Sequence, residues 1–276
     1  MRLSKKQILD FNKLGYLVLD NVFSNRELQE LKSSIKKILM IEMSKLKVNE
    51  KMQSRVKDFT NIFSIAPVKI ANSSNSNLTS LTDTISESIQ FKRIVNSKKI
   101  QLIVNSLLMK KKDNPLYGYI NRCRINLAKD SKAELDWHRE IFQTIPRASF
   151  IQIWAPLIHN TNKKNGSLRI IPRSHIQILP KPKWASNKNL VSKVSYSSDV
   201  LHNFNAKDIS LKLGQAIFFS GRLLHKSGQN NSNNPRYSVV GLYHNISDEN
   251  FIPPKASFSY RGETPKEYFD SFQKKL

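Results

Sequence analysis

Five short runs of β-branched and aromatic residues crowd the second half of the chain and limit what it can fold into. They are residues 122–127, 150–154, 167–171, 216–219 and 237–243, each bounded by Gly, Pro or Asn. Runs of this length and composition, punctuated in this way, are strands rather than helices. A series of short strands buries a face by folding back on itself, which points to a sandwich or a jelly roll. The run Lys163-Lys164-Asn165-Gly166 is a hairpin-type turn signal between two of them.

The first third follows a different period. Ser4 with Gln7, and Ser24 with Glu27, place an acceptor before a helix and a Glu or Gln three residues on. Leu28, Leu31, Ile35 and Leu39 recur at helical spacing and predict a core-facing stripe. Gly15 ends the first helix, and Tyr16–Leu19 reads as a strand. Residues 72–80 are a loop by composition, and a third helix is expected over about 88–109. Residues 176–208 are long, polar and broken by Pro180 and Pro182, so a lid loop, or else a disordered segment, is expected there.

Within the strand-rich half lies a set of metal-binding side chains. His138 and Glu140 are two apart, so on a strand both project to one face. His225 is the best placed third ligand, and Arg236 follows it by 11 positions. Two histidines and a carboxylate hold Fe(II) on one side and leave other positions open. Arg236 offers a planar, permanently charged fork that suits a carboxylate. Asp136 is a rival acid on the same strand face, ranked well below Glu140; Asn126 lies on an earlier strand that could face the pocket and is not counted among the site residues. His175, His159, His202 and His244 read as structural, packing or surface residues.

These residues, with Asn165-Gly166-Ser167-Leu168, Pro172-Arg173-Ser174-His175, His225-Lys226-Ser227-Gly228 and the N-terminal Leu3–Ser24, resemble the phytanoyl-CoA dioxygenase family. The resemblance runs from about Leu3 to about His244, broken near 72–90 and 176–208. It implies a mainly β double-stranded β-helix, cupin-like, with flanking helices. It implies Fe(2+) held by His138, Glu140 and His225, with 2-oxoglutarate as cosubstrate gripped by Arg236 and lined by Ser227 and Trp154. O2 is then the oxidant, and ascorbate is expected to stimulate. The family usually has Asp where Glu140 stands and Gly where Arg173 stands. A carboxylate at 140 points to hydroxylation rather than halogenation.

The expected arrangement is one domain over residues 1–276, with outer helices over about 1–110 and a β-core over about 115–245. The expected function is hydroxylation of a C–H bond in a small metabolite or biosynthetic intermediate, anionic or carrier-linked. The alternatives are a catalytically inactive binding protein of the same fold and a nucleic-acid-modifying oxygenase. The last rests on a net charge of +24 alone. The basic residues are scattered in pairs and triplets such as Lys36-Lys37 and Lys163-Lys164, so a solvated basic surface is expected and nucleic acid is not. Such a field raises the encounter rate of anionic small molecules. Cys123 is the lone cysteine, so no intrachain disulfide forms and a reducing compartment is expected. With no apolar run near 18 residues and no signal-type start, a cytoplasmic, membrane-free protein is expected.

Overall fold

Ser4 opens the first helix by satisfying two backbone donors at once. Its hydroxyl accepts from the Gln7 amide at 3.1 Å, and the Gln7 side chain accepts from the Ser4 amide at 2.8 Å. The computed structural model describes residues 2–46, 61–73, 75–109, 114–130, 135–140, 149–177, 183–184, 194–196, 201 and 204–253. Helix α1 (Lys5–Leu14) stops at Gly15, whose φ of +83° makes a left-handed cap. Strand β1 (Tyr16–Leu19) follows at once. Ser24 and Glu27 repeat the capping box before α2 (Asn25–Lys45), and Leu28, Leu31, Ile35 and Leu39 are all buried.

Two expectations for the helical half need correction. Residues 72–80 are not a loop: α3 (Ile62–Ser73) and α4 (Asn75–Glu87) run through them on either side of position 74. Leu81 and Ile85 of α4 are buried, and Thr82, Thr84 and Ser86 donate their hydroxyls to carbonyls three or four residues back. Packing of the apolar positions and internal satisfaction of the hydroxyls outweigh the loop-like composition. The single helix expected over 88–109 is two, α5 (Ile89–Val95) and α6 (Lys98–Leu107). Ser97 breaks it by accepting from the Ile100 amide at 3.4 Å, which caps a new helix.

The strand-rich half supplies β2 (Leu116–Asn126), β3 (Phe150–Pro156), β4 (Leu168–Ile170), β5 (Lys183–Trp184), β6 (Val194–Ser195), β7 (Lys207–Ile209), β8 (Ala216–Ser220), β9 (His225–Ser227) and β10 (Arg236–Asn245). The larger sheet has the order β1-β8-β3-β10-β2, and the smaller has β7-β4-β9. The pairings are antiparallel throughout. These facing sheets are the jelly-roll, double-stranded β-helix core. Gly166, at φ +87°, turns the chain after the 163–165 signal and into β4. The expected lid over 176–208 lies mostly outside the described residues.

Period-two alternation places the site. In β2, Cys123 and Ile125 enter the main hydrophobic core, as do Ile151 and Ile153 of β3 and Tyr237 and Val239 of β10. That core lies between the larger sheet and the helices. Residues in the opposite phase, Arg122, Arg124, Asn126, Gln152, Trp154, Arg236 and Ser238, line a cavity between the sheets. A second apolar cluster of Trp154, Leu168, Ile170, Ile217, Phe219 and Leu223 closes one end of the inter-sheet space. Every residue of β3 is buried, because both its faces are covered.

Candidate metal centre

His138 and His225 are held side by side by the backbone. The His138 amide donates to the His225 carbonyl at 3.0 Å, and the His225 amide donates back at 3.1 Å. The expected strand placement of His138 and Glu140 needs correction. His138 makes a single antiparallel bridge to His225, and the chain has left extended pairing by Glu140. The three side chains nevertheless converge, with one ligand atom from each lying within 4.8 Å of the others.

The ring orientations follow from their backbone partners. His138 Nδ1 lies 2.6 Å from the Asp136 carbonyl, and His225 Nδ1 lies 2.9 Å from the Leu223 carbonyl. A carbonyl only accepts, so each Nδ1 is a donor, which turns each Nε2 toward Glu140 as the nitrogen that can ligate a metal once it carries no proton. Glu140 Oε2 stands 3.5 Å from His138 Nε2 and 3.8 Å from His225 Nε2. These separations bring the three atoms close enough together for one metal ion to be shared among them.

Electrostatics favour the ligating protonation states. Burial pulls the Glu140 pKa up, but hydrogen bonding and charge from His138, then His225 and Arg124, leave it below the ordinary carboxylate value. Burial and the neighbouring His138 push His225 down to about 3, with Glu140 and the Leu223 carbonyl opposing. A neutral imidazole and an ionised carboxylate are the forms that bind metal. Arg139, between the two ligands, ties the centre to the turn after β4. It donates to the Ser174 carbonyl at 2.5 Å and to the Gln177 carbonyl at 2.9 Å. Ser174 Oγ in turn accepts from the Leu224 amide at 2.8 Å, next to His225.

Arg236, Ser227 and Trp154 line the cavity that holds the three ligands, which has a volume of about 640 Å³. Arg236 is buried, with its guanidinium 5.9 Å from the centre of the Trp154 ring. Its Nη1 donates to the carbonyls of Gly166 and Gly228. A Cβ at Gly166 would collide with that Nη1, and one at Gly228 would collide with the Ser167 carbonyl. Both glycines are needed for the backbone to come this close.

Asp136 is mostly exposed and accepts from the Trp137 amide at 2.8 Å, apart from the convergence point. His175 bonds the Asn12 carbonyl at 3.0 Å and packs against α1, a structural role. His159 is exposed, His202 lies outside the described residues, and His244 is buried against Phe150. Asn126, not counted among the site residues from the sequence, also lines the cavity. Sequence reasoning missed Arg122, Arg124, Tyr117, Tyr119 and Gln152, which line it too. The alternation of β2 carried that signal: Cys123 and Ile125 are its core-facing residues, so 122 and 124 face the other way.

The fold and the converging His, Glu and His side chains define a double-stranded β-helix protein with a candidate facial metal site. The chain belongs to the phytanoyl-CoA dioxygenase family, whose model matches residues 11–238. It is similar to ectoine dioxygenase of Bordetella bronchiseptica, at 21% identity over 95% of this chain and 81% of the relative. Among solved structures, the epimerase SnoN in complex with Fe3+, alpha ketoglutarate and nogalamycin RO aligns with a TM-score of 0.62. It is 15% identical, over 95% of this chain and 92% of that one. EvdO2 from Micromonospora carbonacea aligns with a TM-score of 0.61 at 14% identity, over 97% of both chains.

Proposed function

We propose that this chain is an Fe(II)- and 2-oxoglutarate-dependent dioxygenase that hydroxylates a C–H bond of a small molecule. The observation that carries this reading is the meeting of two imidazole Nε2 atoms and one carboxylate oxygen, all buried, beside a cavity lined by a buried arginine. The donor set fits the group. Nitrogen, nitrogen and oxygen suit ferrous iron, and both imidazoles are locked by carbonyls in the ligating tautomer. Family membership supports the same class, as do relatives named as an ectoine dioxygenase and as an iron and alpha ketoglutarate complex.

In this reading His138, Glu140 and His225 hold the iron, and Arg236 takes the distal carboxylate of 2-oxoglutarate. Bound Fe(II), with O2 and 2-oxoglutarate, supplies the oxidising chemistry that hydroxylates an unactivated carbon, with succinate and CO2 as coproducts. The chain's own side chains do the rest. Arg139 and Ser174 fix the approach of the ligand segments, and Trp154, Leu168 and Phe219 keep one side of the cavity apolar. A non-catalytic binding protein would need none of the four residues His138, Glu140, His225 and Arg236 in these places.

The test is succinate release by the purified protein with Fe(II), 2-oxoglutarate and ascorbate, over pools of small metabolites. Product mass then tells a hydroxylated product, heavier by one oxygen, from an epimer of unchanged mass. Failure to bind both Fe(II) and 2-oxoglutarate would sink the oxygenase reading. An epimerised product would sink its hydroxylase part.

A further inference from the structure

The charges lining the cavity do not cancel. Glu87 and Lys92 pair with each other at 2.8 Å, Glu140 belongs to the histidines, and Arg236 is bound to two backbone carbonyls. That leaves Arg122 and Arg124. Among the described residues, neither guanidinium has a hydrogen-bond or ion-pair partner. Both residues are solvent-accessible, and both line the cavity.

Their position is set by β2. Arg124 lies opposite Ser238 and Arg122 opposite Val240, on the face that also carries Arg236 opposite Asn126. Residues two apart on one strand face stand roughly 7 Å apart. The two arginines therefore form a positive pole roughly 7 to 14 Å along the sheet from the register of Arg236. The carboxylate assigned to Arg236 therefore lies away from this pole. Beyond it lie Tyr117 and Tyr119, with ring centres 6.2 Å apart and planes inclined by 26°. Arg124 holds its charge at a cost: burial pushes its pKa down, with Glu140 opposing and Arg122 adding to the fall. Two like charges facing one cavity are stabilised when an anion enters between them.

We propose that Arg122 and Arg124 form a recognition site for an oxyanion, a carboxylate or a phosphate ester, carried by the substrate. That the ligand is the substrate rests on the oxygenase reading; that the site takes an oxyanion does not. The metal ligands line the same cavity, so a molecule anchored here has its carbon skeleton within the space they face.

The experiment uses three probes of similar shape: phenyl phosphate, phenylacetate and the neutral benzyl alcohol. Calorimetry is run on the full-length protein loaded with Mn(II) and 2-oxoglutarate, and again with neither. The variants are Arg122→Gln with Arg124→Gln, and Arg122→Lys with Arg124→Lys. At least one anion should bind the wild type more tightly than the alcohol and more weakly as salt is raised. The double glutamine variant should lose about tenfold or more of that affinity, and the lysine pair should restore part of it. Thermal melting and 2-oxoglutarate affinity should stay close to wild type, which separates loss of a site from loss of the fold. The proposal is overturned if neither anion binds, if the glutamine pair binds as well as wild type, or if the alcohol binds equally. Failure of the wild type to take Mn(II) and 2-oxoglutarate would strike the oxygenase reading alone. The comparison on unloaded protein would still decide the anion site.

Discussion

His138 and His225 exchange both of their backbone hydrogen bonds, at 3.0 and 3.1 Å. The pair is the narrow point at which residues 87 positions apart become neighbours, with ring centres 4.2 Å apart. Each ring is then aimed by its own local carbonyl, Asp136 for one and Leu223 for the other. The backbone sets the separation of the rings, and the Nδ1 bonds set their tautomer. Backbone pairing and local carbonyls thus place and orient both imidazoles.

Removing one imidazole should leave the scaffold standing. His225→Ala deletes a ring that packs 4.9 Å from Phe219 but keeps the backbone bridge. We expect metal affinity to fall at least about a hundredfold, because one of three protein ligands is gone. Metal-free stability should fall by only about 1–3 kcal/mol, the range for losing a buried side chain of this size. Metal titration and thermal melting of the metal-free protein measure the two separately. Wild-type metal affinity in the variant would remove His225 from the centre.

Arg236→Lys keeps the charge and loses the fork. Arg236 also holds the Gly166 and Gly228 carbonyls, and lysine cannot satisfy both and a carboxylate with the same geometry. The 2-oxoglutarate concentration needed should rise by about ten- to a hundredfold, from charge-assisted bonds of about 1.5–3 kcal/mol each. Metal affinity should hardly change. An unchanged cosubstrate requirement, read from succinate release, would take Arg236 out of the pocket.

The two nearby acids should behave oppositely. Glu140 is buried between the histidines, whereas Asp136 has a side chain 64% exposed and lies 3.9 Å from Lys226. Glu140→Asp keeps a carboxylate on a shorter stem, so activity should drop without vanishing. Glu140→Ala should abolish hydroxylation and weaken iron retention. Asp136→Ala should change metal affinity less than about threefold, since exposed ion pairs contribute at most about 1 kcal/mol. If Asp136→Ala abolishes iron binding and Glu140→Ala preserves it, the wrong acid has been assigned.

Much of this architecture is legible in the chain because local rules and the fold agree. The capping boxes at Ser4 and Ser24 and the stripe Leu28-Leu31-Ile35-Leu39 depend on neighbours three or four residues away, and the structure keeps them. The five strand runs keep their places because alternation is fixed by the pleat. Helix α4 was hidden because its stability comes from burying Leu81 and Ile85 against distant elements, which composition does not record. Glu140 meets the two histidines, but from a segment that has left strand pairing rather than from a strand. The departure from strand pairing after His138 has no local signature. Arg122 and Arg124 were visible as residues but not as a pole, because their meaning depends on which face of β2 the core occupies.

The buried histidines should make the metal-free fold sensitive to acid. His244 is buried and stacks on Phe150 at 4.5 Å, and burial lowers its pKa from 6.5 to about 4, with Glu140 opposing. The unfolded chain takes up this proton near pH 6.5, while the folded chain does so only near 4. Between these values the unfolded state binds more protons, so stability is intact above about pH 6.5 and declines as pH falls toward 4. At about 1.4 kcal/mol per pH unit, the loss from this one ring is roughly 3 kcal/mol by pH 4. His225, lowered to about 3, adds to the fall over the same range. His244→Phe removes the titrating group and keeps a ring against Phe150. Its Tm should gain on wild type between pH 8 and pH 5, in metal-free protein. Parallel Tm curves for the two proteins across that range would mean that His244 is not held neutral by burial.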